Sequence, residues 1–295
     1  MTTSKIYEKI RTIAATVNGD RFAVAEFDSK VQVWDLTLGL VNKFSTDFDF
    51  GGNRLSISED GKYLVIGGYS ANTITAFDID TGQKIWQRKD LKKCGSVKIL
   101  NKLDNRVFVN LERQGTHILN IHNGETVDNL KGVEFYYENS YGNIDLLEKS
   151  TTYSLADRIK GKTVKNKPKT TFAILDTAFS KDKIVCAYSG NPLESISTDN
   201  FENIWVTKVV GNFLEIEYSV ELNKILGIRW EYEKGSPKFL CYVDINTGKV
   251  EKEVNLGEPI EAEFLKQGSL MLTSQGKLYS TSTVQQIRQF DFESE

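Results

Sequence analysis

The sequence predicts an all-β chain: a seven-bladed β-propeller of four-stranded antiparallel blades, with residues 1–295 as a single domain. Two interleaved series of turns predict it, each recurring about every 40 residues, a spacing that fits one propeller blade per repeat. The third observation is that no stretch sustains a 3.6-residue hydrophobic period, so helix should be scarce.

The first series is a strand that runs into an Asp-type tight turn. VWDLTLG ends at Gly39, FDIDTG at Gly82, NIHNG at Gly124, ADRIKG at Gly161 and VDINTG at Gly248. Asp35, Asp78, Asn120, Asp157 and Asp244 each stand four residues before the glycine. There a short side chain bonds its own backbone and Gly accepts a positive φ. STDNFEN continues the series, with Asp199 four before Asn203, because Asn also tolerates the left-handed region.

The second series places turns at Gly19, Gly61, Asn105, Gly142, Asp182, Asn223 and Gly268, each followed by a short apolar, β-branched or aromatic run. Each unit then reads strand a, turn, strand b, loop, strand c, Asp-type turn, strand d. The second unit is the clearest, with LSISED, KYLVIGG, TITAFDID and QKIWQR as its strands. Blade 4 (roughly 132–165) and blade 5 (roughly 171–209) are the weakest in pattern, and six blades with one irregular insertion is the alternative count.

Composition narrows the function. The net charge of −3 gives no overall basic field for nucleic acid or a membrane surface. No apolar run is long enough to span a bilayer, and the first residues carry no secretory signal. Cys94, Cys186 and Cys241 are odd in number, widely spaced and set in apolar runs. They read as buried free thiols, which suits a cytoplasmic protein.

VQVWDL (31–36) resembles the WD-repeat signature, and SEDGKYLVIGG (58–68) resembles the turn before strand b of those repeats. FDIDTGQKIW (77–86) and VDINTGKV (243–250) look like pyrroloquinoline-quinone-type propeller repeats, which share a D-x-x-T-G turn. The resemblance implies the propeller fold. The chain has one WD dipeptide, Trp34-Asp35, and no Gly-His pair, so the His-based network of WD repeats has no residues to build it.

Chemistry-bearing residues are few. The two histidines, His117 and His122, lie five apart on one strand and face opposite sides, which argues against a shared metal or a Ser-His-Asp triad. Neither catalytic residues nor cofactor or metal ligands are expected. Glu261 and Glu263 alternate on an inner strand of blade 7, where carboxylates line the channel. They are the candidates for the rival reading, a lactonase- or lyase-like enzyme using channel carboxylates and a metal. The run RIKGKTVKNKPK holds Arg158, Lys160, Lys162, Lys165, Lys167 and Lys169 on an outer strand. Lysines there protect an edge from pairing, and no aromatic residue interleaves to stack on bases.

Aromatic residues outside the strand pattern lead elsewhere. Phe48 and Phe50 lie between blades, Phe135, Tyr136, Tyr137 and Tyr141 cluster in EFYYENSY, and Trp230 and Tyr232 open the longest b-to-c loop. Blade-connecting and b-to-c loops emerge on one face, so Phe48, Phe50, Trp230 and Tyr232 are the expected partner anchors. Their acidic neighbours Asp47, Asp49, Glu231 and Glu233 suit a protein partner with a basic surface. The expected function is a non-catalytic protein-binding propeller, either a scaffold or an inhibitor of the immunity-protein type.

Overall fold

The computed structural model describes residues 10–16, 18–26, 29–46, 54–70, 72–103, 106–112, 114–168, 173–190, 192–231, 238–257 and 261–292. Among them there is no helix, and so none long and apolar enough to cross a membrane. Blade 1 is β1 (Ile10–Ala15), β2 (Arg21–Glu26), β3 (Lys30–Asp35) and β4 (Gly39–Ser45). Blade 2 is β5 (Arg54–Ile57), β6 (Tyr63–Gly68), β7 (Thr73–Asp78) and β8 (Lys84–Arg88). Blade 3 is β9 (Cys94–Leu100), β10 (Arg106–Leu111), β11 (Gly115–Leu119) and β12 (Thr126–Asn129). Blade 4 is β13 (Val133–Tyr137), β14 (Ile144–Lys149), β15 (Thr152–Asp157) and β16 (Lys162–Pro168). Blade 5 is β17 (Ile174–Phe179), β18 (Lys183–Tyr188), β19 (Pro192–Ser197) and β20 (Asn203–Lys208). Blade 6 is β21 (Asn212–Ser219), β22 (Lys224–Trp230), β23 (Lys238–Asp244) and β24 (Val250–Asn255). Blade 7 is β25 (Ala262–Leu265), β26 (Leu270–Thr273), β27 (Lys277–Ser280) and β28 (Gln286–Gln289).

Each sheet keeps its four strands in chain order, which makes the protein a seven-bladed β-propeller. Blades 4 and 5, weak in sequence, are regular four-stranded sheets, so the six-blade count falls away.

The residues group into two compact units. Unit 1 is Met1–Phe135 with Leu272–Tyr279 and Gln286–Glu295, and unit 2 is Tyr136–Met271 with Ser280–Gln285. In unit 1, Ala23, Val31 and Val33 pack on Leu64, Ile66 and Phe77, while Val65, Ile74 and Trp86 pack on Val97, Val107 and Leu119. In unit 2, Leu146 and Tyr153 meet Phe179 and Tyr188, and Val185 and Leu193 meet Phe213, Ile225 and Val243. Neighbouring blades cover both faces of strands b and c, which therefore read as unbroken apolar runs such as YLVIGG and KIVCAY.

All seven blades close strand c to strand d through the same turn, with a left-handed residue four past the capping side chain. Five of these residues are the glycines read from the sequence. Blade 5 corrects the reading: its cap is Ser197 and its left-handed residue is Phe201 (φ 60°), not Asp199 and Asn203. The Ser197 hydroxyl accepts from the Asp199 amide at 3.2 Å, and the Phe201 amide donates to the Ser197 carbonyl at 3.0 Å. Phe201 is buried, so packing of its ring offsets the backbone cost. Blade 7 repeats the form with Ser280 and Val284 (φ 60°).

The outer strands also latch the next blade's turn. Four residues past its own left-handed residue, Trp86 donates Nε1 to the Ile121 carbonyl at 2.6 Å and Trp205 donates to the Ile245 carbonyl at 2.9 Å. Lys165 bonds the Asn200 carbonyl and Arg288 the Leu36 carbonyl from the same position. Blade 1 uses Asn42, one residue earlier, on the Ile79 carbonyl at 2.8 Å.

Trp34 is 7% exposed and packs edge-on against Phe290 and Phe292, with centroids 5.5 and 5.7 Å away. Its Nε1 donates to Gln32, whose amide donates to Glu26 at 2.6 Å and to the Phe292 carbonyl at 2.8 Å. This network occupies blade 1 without any histidine.

Candidate protein-binding face

In unit 2, the connection from β20 to β21 and the end of β22 are built against each other. Gly211 has φ +86°, and a Cβ there would stand 2.2 Å from the Trp230 carbonyl oxygen. Only glycine lets the two segments approach this closely. The Arg229 guanidinium then fastens them, donating Nη1 to the Val210 carbonyl at 2.6 Å. The β20–β21 connection thus lies against the end of β22 and Glu231.

Arg229 is 5% exposed and compensated on several sides. It pairs with Glu231 at 2.6 Å and Glu253 at 3.0 Å, and its guanidinium lies 4.7 Å from the Phe239 ring centroid. A buried charge demands such partners. Beside it opens a cavity of about 590 Å³ lined by Val209, Val210, Arg229, Glu231, Val250 and the β24 segment Glu251–Glu253. Val210, at its edge, is 72% exposed.

Trp230 ends β22, half-buried, opposite Asn212 on one side and Lys238 on the other. Phe48, Phe50 and Tyr232 lie outside the described residues. Lys238 is buried and reaches Glu261 at 3.1 Å. Burial and the carboxylates of Glu263, Asp176 and Glu261 push the Glu215 carboxyl well above the usual carboxylate range, against the pull of Lys238. Asp176 accepts from the Ile216 amide at 2.7 Å. The whole net charge of −3 falls in unit 2, unit 1 being neutral.

The other sequence candidates go to structural tasks. Within the basic run, Arg158 is buried against Asp145, which corrects its reading as an exposed charge. Lys160 pairs with Asp157 and Lys167 with Glu194, both at 2.9 Å, and Lys169 lies outside the described residues. Tyr136 and Tyr137 bond Asp145 and Glu148, and Tyr141 packs on Tyr218. His117 lies on β11, 3.3 Å from the Gln114 carbonyl, whereas His122 sits in the following turn against Tyr63. All three cysteines are buried and free. Among the described residues no group of three or more His, Cys, Asp or Glu side chains is arranged to hold a metal ion.

Sequence reasoning missed Arg229, Val210 and Gly211. The available signal was an arginine inside the apolar run KILGIRW, since a charge in a doubly covered strand needs a built environment.

No protein-family model and no curated protein matches the sequence. Among solved structures, the chain is similar to the β-propeller domain of Cps50 (Swd1) from Myceliophteria thermophila, with a TM-score of 0.71 and 11% identity over 93% of this chain and 94% of that one. It is also similar to the C-terminal WD40 domain of Sif2, with a TM-score of 0.68 and 11% identity over 90% of this chain and 78% of that one. At that identity the likeness establishes the fold alone, a β-propeller of the WD40 type.

Proposed function

We propose that the chain is a non-catalytic protein-binding module of the scaffold type. It engages its partner through the face that carries the blade-connecting and b-to-c segments, with Phe48, Phe50, Trp230 and Tyr232 as anchors. The supporting observation is the Arg229 clamp, which fixes exposed Val210 beside Trp230 on a rigid base. Anchors held in place before binding lose less entropy on association. The acidic surroundings favour a partner with a basic surface, and a reducing cytoplasm suits three buried free thiols.

The test is affinity capture with the purified chain and its Trp230→Ala, Phe48→Ala double variant, compared with Lys162→Ala, Lys165→Ala. The aromatic pair is expected to weaken the partner by tenfold or more, about 1.4 kcal/mol, while the lysine pair retains it. Retention by the aromatic pair together with loss by the lysine pair, both variants remaining folded, would assign binding to the wrong face.

A further inference from the structure

The cavity beside Trp230 is lined by groups that sort by chemistry. Val209, Val210 and Val250 make an apolar wall, and Glu231, Glu251 and Glu253 supply carboxylates whose side chains are 40, 40 and 42% exposed. Two protein cations serve these three acids: Arg229 bridges Glu231 and Glu253, and Lys224 pairs with Glu251. Lys252 is the remaining cation of the lining. Its ammonium stands over the Tyr242 ring, 4.9 Å from the centroid, and makes no ion pair with the three acids among the described residues. Among the described residues, the three carboxylates thus outnumber the two cations that pair with them. The Arg229 side chain is only 6% exposed, so carboxylate oxygens, not the guanidinium, face the solvent.

We propose that this cavity receives one arginine side chain from a protein partner; the proposal rests on the binding-face reading above and names what that face selects. The methylene stem of arginine fits the valine wall, while its planar fork of five donors can bond carboxylates presented from two segments at once. A lysine supplies the charge without the fork. The Lys-rich outer strand offers no comparable slot, because Lys165 and Lys167 are spent on Asn200 and Glu194.

The experiment uses the full chain with valine methyl labels and three capped tripeptides: Gly-Arg-Gly, Gly-Lys-Gly and Gly-citrulline-Gly. The arginine peptide is expected to shift the Val209, Val210 and Val250 methyl signals saturably, with affinity about fivefold above the other two, the scale of one partly exposed ion pair. Glu251→Gln should weaken it, and Val210→Lys should abolish it by placing an internal cation at the rim. Val210 is exposed, so that variant keeps the fold. Equal affinity for the citrulline or lysine peptide, or shifts confined to other valines, would overturn the arginine assignment. Because no partner is present, that failure leaves the face itself to be judged by the Trp230 variants.

Discussion

Trp86 and Trp205 do the same job in different units. Each donates its indole N–H to the carbonyl just after the turn cap of the next blade, and each covers the glycine that ends that turn. Two residues on, Arg88 bonds the Gly124 carbonyl at 2.6 Å and Thr207 bonds the Gly248 carbonyl at 2.8 Å. They differ in burial: Trp86 is 8% exposed, whereas Trp205 is half-buried. Lys165 and Arg288 reach a turn carbonyl from the equivalent position with a charged tip instead of a ring. In blades 1, 2, 3 and 6 the acceptor is the carbonyl just after the cap, and in blade 5 it is that of Asn200, three past Ser197. The donor's identity drifts from blade to blade.

The largest effect should come from Trp86→Ala. Removing a buried ring and its hydrogen bond should cost about 3–5 kcal/mol in urea unfolding, against roughly half that for Trp205→Ala. Equal losses would mean that exposure does not separate the two latches.

Glycine substitutions come next. A Cβ on Gly124 or Gly248 would meet the indole at 2.7 and 2.4 Å, and both residues have φ +71°. Gly161 has φ +61° with nothing within 4 Å. Gly161→Ala should cost about 1–2 kcal/mol for the left-handed backbone alone, and Gly124→Ala clearly more. In a Trp86→Ala background the excess at Gly124 should disappear, and its persistence would locate the strain elsewhere.

Acid should separate turns by cap chemistry. Side-chain and backbone bonds from Thr81 hold the Asp78 carboxyl below its usual range, and Thr247 does the same for Asp244. Their folded-state values lie below the unfolded value of about 3.9, so their contribution is full above that pH and fades as pH falls through the folded values. Hydrogen exchange between pH 5 and pH 2.5 should therefore show the Thr81 and Thr247 amides losing protection before Asn200 and Thr283, which face the hydroxyls of Ser197 and Ser280. Simultaneous loss would point to global unfolding.

Lys165→Ala should be the mildest change, below about 1 kcal/mol, since an exposed lysine gains little from a single bond. A large loss would show that a charged tip substitutes fully for an indole.

Much of this design was legible in the sequence because Asp or Asn with Gly announces the turn at five of seven positions. It became illegible where packing replaced propensity. Phe201 and Val284 take the left-handed conformation without glycine, and Ser197 and Ser280 cap without a carboxylate. The register in blade 5 was therefore read two residues late. The sequence singles out Trp230 for the proposed binding face, but not the base beneath it, because Arg229 and Gly211 act through neighbours distant in sequence.

The packing of blade 1 orders events during synthesis. Phe22 and Trp34 emerge from the ribosome early, yet the rings that cover them belong to Phe290 and Phe292, and the Leu36 carbonyl finds its donor only in Arg288. At about 5–20 residues per second, that covering lags by tens of seconds or less, but it always lags. Blade 1 is made well before the strand that covers it, so its aromatic edge stays open until Arg288, Phe290 and Phe292 have been synthesised.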